Sequence, residues 1–291
     1  MSTTKSFKGK AIYNPSGKAG EYSYWACNFY VGCSNNCSYC YCKKGILAGT
    51  MGQNKPQLKK CFWNEEDAIK RFRVELGRNL VWEGKASTLL SHGLFFSFTT
   101  DPMLPETIKL TMLAVRHCLC NHVPVKILTK CVGWVDEFLQ DPSEFISGWS
   151  DWAMNPRDFI GNLAFGFTYT GHDDKEPGAS TNAERIAANQ KLHDAGFKTY
   201  ASIEPVIDFE SSLRMVRQTA GYCDHYKIGL LGGAKYVRHE LHNFMNQVSR
   251  VTGGKTPLYF KDSLLKAAGI DRESLPKNCV ERNFNLHTYR S

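Results

Sequence analysis

Val31-Gly32-Cys33-Ser34-Asn35-Asn36-Cys37-Ser38-Tyr39-Cys40-Tyr41-Cys42 is the stretch from which the rest of the chain is best read. Three cysteines stand at CxxxCxxC spacing, and a fourth follows two residues later. The stretch comes directly after an apolar, aromatic run, Tyr22 to Val31, that reads as a first strand. Its Gly, Ser and Asn residues mark a loop. A loop can wrap three thiols around one centre, whereas a regular helix or strand would point them in different directions.

Downstream, short β-rich runs alternate with helical spacing. The strand candidates after Tyr22 to Val31 are Leu94 to Thr99, Pro124 to Thr129, Leu163 to Thr168, Thr199 to Ile203 and His225 to Leu230. Between them, Glu106 to Cys120 carries Ile108, Met112, Val115 and Leu119 on one helical face. Thr181-Asn182-Ala183-Glu184 reads as a capping box that opens a helix stopping near Gly196. Val237, Leu241, Phe244 and Val248 share another helical spacing. Six strands alternating with helices imply an α/β protein of parallel βα units, either an open doubly wound sheet or a barrel. In both, functional side chains belong at the carboxyl ends of strands. The tail adds an apolar run, Pro257 to Phe260, and a short helix near Ser263 to Ala268.

Composition narrows the class. With 42% hydrophobic and 22% charged residues, the chain can bury a globular core. No apolar run is long enough to span a bilayer. Met-Ser-Thr-Thr-Lys at the start lacks the apolar core of a signal peptide, so a cytoplasmic location is expected. The net charge of +8, from 36 Lys and Arg against 28 Asp and Glu, suits either a polyanionic partner or a plain solvated basic surface. Eleven cysteines in a chain with no export signal favour metal binding or burial over disulfides.

Three metal readings compete for the cysteine loop. Structural zinc requires four closed ligands, usually as two separated pairs, and would enlist Cys33, Cys37, Cys40 and Cys42. An electron-transfer [4Fe–4S] site also uses four cysteines. A three-cysteine site built on Cys33, Cys37 and Cys40 leaves one iron open to a ligand. Buried thiols without a metal fit so polar a loop least well.

The CxxxCxxC loop after the first strand, with Tyr39 just before its last cysteine, resembles the radical S-adenosylmethionine (SAM) superfamily. Further stretches resemble its spore photoproduct lyase-like, or DNA repair photolyase-like, branch. They are Thr50-Met51-Gly52-Gln53-Asn54-Lys55-Pro56, Ser97-Phe98-Thr99-Thr100-Asp101-Pro102, Ile127-Leu128-Thr129-Lys130 and Glu176-Pro177-Gly178-Ala179-Ser180 before the Arg185 helix. The likeness runs from about Tyr22 to Asp208.

This resemblance implies a partial (βα)6 TIM-like barrel over residues 22–235, with a lead-in over 1–21 and a C-terminal extension over 236–291 that closes the barrel. Cys33, Cys37 and Cys40 would hold a [4Fe–4S] cluster. Tyr39, Thr99, Thr100, Asp101, Lys130, Thr168, Ser202 and Glu204 would line the SAM site. The implied activity is reductive cleavage of SAM to a 5′-deoxyadenosyl radical that abstracts hydrogen from a substrate. A lyase- or transferase-type reaction on a nucleic acid or nucleotide is expected, with flavodoxin or ferredoxin as electron donor. The rival from another class is a zinc-bound nucleic-acid-binding protein without catalytic activity. One departure stands out. The lyases carry a hydrogen-donating cysteine near the end of the second strand, where this chain reads Phe98-Thr99-Thr100-Asp101. Cys42, Cys118, Cys120 and Cys131 are the candidate substitutes.

Overall fold

A computed structural model describes residues 9–81, 88–147, 160–282 and 284–289. Its centre is an eight-stranded sheet built from β1 (Ile12–Tyr13), β2 (Ala26–Cys27), β5 (Leu94–Phe96), β6 (Val125–Thr129), β7 (Leu163–Thr168), β8 (Lys198–Val206), β9 (His225–Leu230) and β10 (Leu258–Phe260), in that spatial order. Only the β1–β2 pair is antiparallel. The six remaining pairings are parallel. A two-stranded antiparallel hairpin, β3 (Tyr30–Val31) with β4 (Gln57–Leu58), stands beside the sheet.

The sheet therefore contains seven parallel strands where the spacing pattern suggested six. The seventh is the run Pro257 to Phe260, which pairs with β9 as Leu258 with Tyr226 and Phe260 with Ile228. β1 and β10 form the two edges of the strand order. The expected first strand also divides. Asn28 and Phe29 interrupt it, because Asn28 N bonds Ala11 O while Lys59 N bonds Phe29 O, so the chain passes from one sheet into the other. The cysteine loop consequently hangs from the small hairpin, not from the main sheet.

Helices cover the sheet as the apolar spacing requires. In α1 (Glu65–Leu80), Asn64 caps the amino end by accepting from Asp67 N at 2.8 Å, and Ala68, Phe72 and Leu76 bury one stripe. α2 (Ile108–Cys120) buries Met112, Val115 and Leu119, with Ile108 packed at its edge. α3 spans Val135–Gln140. α4 (Asn182–Asp194) opens on the expected capping box, with Thr181 and Glu184 exchanging hydrogen bonds. α5 (Phe209–Thr219), α6 (Arg238–Val251) and α7 (Asp262–Ala268) follow. In α6, Leu241, Phe244 and Val248 are buried, while Val237 caps the helix and is exposed.

β7 is buried along its whole length, as a strand covered on both faces must be. Its Gly166 is required by packing: a Cβ there would lie 2.3 Å from the Tyr200 ring. On that side of the sheet Ala164 and Tyr200 meet Leu286, with Leu128 and Phe284 around them. The tail thus packs against the strands, and Leu258 N and Val280 N bond to Asn278 O and Leu258 O. Because the strands run parallel, all their carboxyl ends emerge on one side, where the cysteine loop lies.

Candidate active site

A cavity of about 430 Å³ opens at those carboxyl ends. Cys33, Cys37 and Cys40 line it, together with Tyr39, Thr99, Thr100, Asp101, Lys130, Thr168, Ser202 and Glu204. Residues from every expected strand end therefore converge on one space. Further lining residues that were not named as site candidates include Lys18, Tyr22, Gln53 and Lys261. Lys18 comes from the lead-in, Tyr22 opens the run expected as the first strand, and Lys261 follows the unforeseen seventh parallel strand.

The cysteine loop is fixed from three directions. Cys33 N bonds Gln53 O at 3.0 Å, tying the loop to the segment behind the hairpin. Ser38 N bonds Lys175 O at 2.9 Å, and Gly178 N bonds Asn35 O at 3.1 Å, tying it to the turn after β7. Asn35 Nδ2 donates to Asp101 Oδ2 at 2.8 Å, tying it to the loop after β5. Gly32 and Asn36 turn the chain with φ of +82° and +52°, conformations that Gly and Asn tolerate best.

Asp101, expected to line the SAM site, lines the cavity and also ties its wall together. Its Oδ1 accepts from Met103 N at 3.0 Å and Thr129 Oγ1 at 2.6 Å. Its Oδ2 accepts from Asn35 and from Lys130 N, the latter at 2.7 Å. A carboxylate offers about four acceptor positions, and these four donors take up those of Asp101. It organises the wall instead of presenting a free oxygen.

A second buried network backs the loop. Glu176 and Arg185 pair with both side chains fully buried. Arg185 also donates to the carbonyls of Thr168 and Thr181, and the Tyr39 hydroxyl donates to Glu176. Burial, reinforced by the neighbouring carboxylate, raises Tyr39 well above the ordinary phenol range. The Lys130 ammonium lies 4.0 Å from Glu176 and 5.7 Å from the centre of the Tyr39 ring. Burial opposes its charge, but Cys37 and Glu176 hold its pKa above the usual lysine value.

Across the cavity, the Tyr22 hydroxyl bonds Ser202 and donates to Glu204 Oε2 at 2.7 Å. Lys261 donates to Glu204 Oε1 at 2.9 Å and sits 4.5 Å from the Tyr22 ring centre. Lys227 holds the backbone of this strap, donating to Tyr22 O at 2.6 Å. Ser202 and Glu204 thus form one wall with Tyr22.

The thiols differ in their surroundings. Burial pushes Cys33 up to about 12 and also raises Cys37. A hydrogen bond from Cys42 holds Cys40 down to about 6. Cys42 is buried beside the cavity with its proton spent on Cys40. Structural zinc asks four sulfurs to converge on one ion; among the described residues no three His, Cys, Asp or Glu side chains gather as a single-ion site. Thr100 Oγ1 and Gln53 Oε1 are buried without a hydrogen-bond partner, and both residues line the cavity. Such atoms call for a polar ligand.

Of the other candidate thiols, Cys118 is buried in the α2 core and Cys120 is exposed. Cys131 bonds Asn35 Oδ1 at 3.4 Å, behind the loop. The turn His172 to Lys175 is held by Asp173, which accepts from Asn182, and by His172 against Asp208. It supports the cysteine loop through Lys175 O.

A loop of three thiols above the carboxyl ends of parallel strands, facing a cofactor-sized cavity, is consistent with the radical SAM type of α/β fold. Comparison with solved structures makes the likeness particular. The chain is similar to a spore photoproduct lyase complexed with dinucleoside spore photoproduct, with a TM-score of 0.52 and 16% identity over 84% of this chain. A variant lyase with bound AdoMet and the same dinucleoside gives 0.53 and 16% over 83%. A cysteine-to-serine variant gives 0.58 and 15%, covering 85% of this chain and 78% of the lyase. The chain spans 64% of the length of the lyase in the dinucleoside complex. Among curated proteins it is 24% identical to the uncharacterized protein MJ0683 of Methanocaldococcus jannaschii, over 86% of each chain. No protein-family model matches it. The fold is that of the spore photoproduct lyases.

Proposed function

We propose that this protein is a radical SAM enzyme in which Cys33, Cys37 and Cys40 hold a [4Fe–4S] cluster. The observation that carries the reading is the single cavity, onto which all three thiols and the expected SAM-site residues open. When bound, such a cluster supplies the electron that cleaves SAM to methionine and a 5′-deoxyadenosyl radical.

The chain's own residues divide the remaining work. Lys130 offers a cation for a carboxylate, held over Tyr39 and against Glu176. The Thr99 hydroxyl donates to Tyr30 O at 2.5 Å and keeps its acceptor positions for a ligand. Thr100 brings an unpaired hydroxyl, and Thr168 lines the same wall. Asp101 keeps the loop and the Lys130 backbone in register. Tyr22, Ser202, Glu204 and Lys261 form the wall facing the cysteines, which suits the substrate side. A nucleic acid or nucleotide is the favoured substrate, supported by the +8 charge and by the dinucleoside carried by the similar lyases. A lyase- or transferase-type hydrogen abstraction is the reaction class, and an external one-electron donor is required.

The test is anaerobic reconstitution with iron and sulfide, followed by SAM and dithionite. Wild type should bind about four irons per chain and release 5′-deoxyadenosine, while Cys37→Ala should do neither. Cys42→Ala should keep both properties, since its thiol lies outside the three-cysteine set. Bound zinc in place of iron would overturn the reading.

A further inference from the structure

At the end of the strands opposite the cavity, residues 284–289 lie across the sheet as a strap. Three of its side chains reach loops that lead into different strands. Asn285 Nδ2 donates to Ser91 O before β5, His287 Nδ1 donates to Gly161 O before β7 at 3.2 Å, and the Tyr289 hydroxyl donates to Lys255 O before β10 at 3.3 Å. Between these ties Leu286 is buried against Ala164 and Tyr200, and the Phe284 ring lies 4.9 Å from that of His225. A segment held by so few ties belongs to those that open locally at low free-energy cost.

Two histidines sit at this junction, each with its tautomer fixed. A carbonyl only accepts, so Nδ1 carries the hydrogen in His287, and likewise in His225, which bonds Pro257 O at 2.9 Å. Nε2 is therefore the atom that titrates. His287 Nε2 is buried without a hydrogen-bond partner, so a proton placed there finds no acceptor. Among the described residues, the charges facing the two rings are Lys126 of β6, Lys227 of β9 and Lys198 of β8, all of the sign that opposes protonation. Residues 284–289 contain no Asp or Glu. Asp224, beside His225, is engaged by Lys198 at 3.5 Å and by Thr199 N at 2.8 Å. Of the other titratable neighbours, His92 bonds back to Thr88 O, the Tyr200 hydroxyl is spent on Ile127 O, and Lys255 is exposed. Burial and Lys126 accordingly lower His287 from 6.5 to about 4. Burial, with Lys227 and Lys126, lowers His225 to about 3.

We propose that residues 284–289 are an acid-releasable strap, held across the amino ends of the strands while His287 and His225 are neutral and let go when they take up protons. The inference is independent of the radical SAM reading. Docking holds both rings below their ordinary value, so this contribution is complete above about pH 6.5 and is lost as the pH falls toward the lowered values. Each histidine weakens docking by up to about tenfold per pH unit in that window. Release uncovers Tyr200, two residues before Ser202 on β8. Acid therefore reaches the wall of the cavity through a single strand.

The experiment uses the full chain. Carboxypeptidase Y trims a freed carboxyl end, and mass spectrometry follows the trimming at about pH 7 and about pH 5, on either side of the ordinary histidine value. Rates are normalised to a free peptide of residues 280–291, so that they track the population of released strap. Wild type should be trimmed into residues 284–289 on the order of 100-fold faster at the lower pH, from two histidines at about tenfold each. His287→Asn keeps a donor for Gly161 O but cannot titrate, and should cut the response to about tenfold. Adding His225→Asn should abolish it. Lys126→Met removes a repelling cation, so release should move to lower pH; this variant carries the test where the histidine variants fail to fold. Equal normalised trimming of wild type at the two pH values overturns the proposal. So does a response that survives in the double variant, an unshifted release in Lys126→Met, or loss of circular dichroism in step with trimming, which marks unfolding of the whole chain.

Discussion

Asn35, two residues past the first cysteine, donates its amide to the buried carboxylate of Asp101 at 2.8 Å across 66 residues of sequence. Through the same carboxylate, Thr129 and the Lys130 backbone are joined to the loop. One side chain therefore aligns the cysteine loop with the ends of β5 and β6.

Replacing Asp101 by Asn should break this alignment. The new amide would turn two hydrogens toward groups that are themselves donors. Leaving buried donors unpaired costs about 1–3 kcal/mol each, so a loss of roughly 2–4 kcal/mol is expected. Urea denaturation of the metal-free protein measures it. Iron loading should fall in parallel, because the loop loses its anchor.

Arg185 is fully buried against Glu176. Arg185→Met would strand that carboxylate in the interior at a cost of about 3–5 kcal/mol. The double variant Arg185→Met, Glu176→Gln should recover part of the loss, since the uncompensated charge is then gone. Denaturation midpoints of the two variants decide between them. Equal stability would show that the pair contributes through something other than charge.

Gly178 lies under the cysteine loop, where an added Cβ would fall 2.0 Å from Ser34 O. Because that neighbour is backbone, Gly178→Ala must push the loop outward, costing about 1–3 kcal/mol. The variant should fold and still bind iron poorly. Iron stoichiometry beside circular dichroism reads both.

His225 is buried, bonds Pro257 O at 2.9 Å and lies 4.9 Å from the Phe284 ring. Burial, with help from Lys227, lowers its pKa from 6.5 to about 3. The folded protein therefore holds it neutral where the unfolded chain protonates it. Between the two values, stability should drop by up to about 1.4 kcal/mol per pH unit as the pH falls. His225→Asn should flatten that slope. Urea midpoints at about pH 7 and about pH 5 test this, the window lying below the ordinary histidine value.

Local chemistry made much of this protein legible from its sequence. The turn-bounded apolar runs marked β5 to β9, and the apolar stripe of α2 needed only its own spacing. Thr181 and Glu184 announced the start of α4, because a capping box acts across three residues. The cysteine spacing and the strand-end polar residues were visible for the same reason: each is a short-range pattern. Tertiary structure decided what depends on partners far along the chain. It divided Tyr22 to Val31 between two sheets, since Ala11 and Lys59 compete for its backbone. It turned Pro257 to Phe260 into a parallel strand by pairing it with β9. It gave Tyr22 to Ser202 and Glu204, some 180 residues away, and made Asp101 the anchor that joins the cysteine loop to β5 and β6. Hydrogen bonds over such separations leave no periodic trace in sequence. They form only once the sheet has brought the strand ends together.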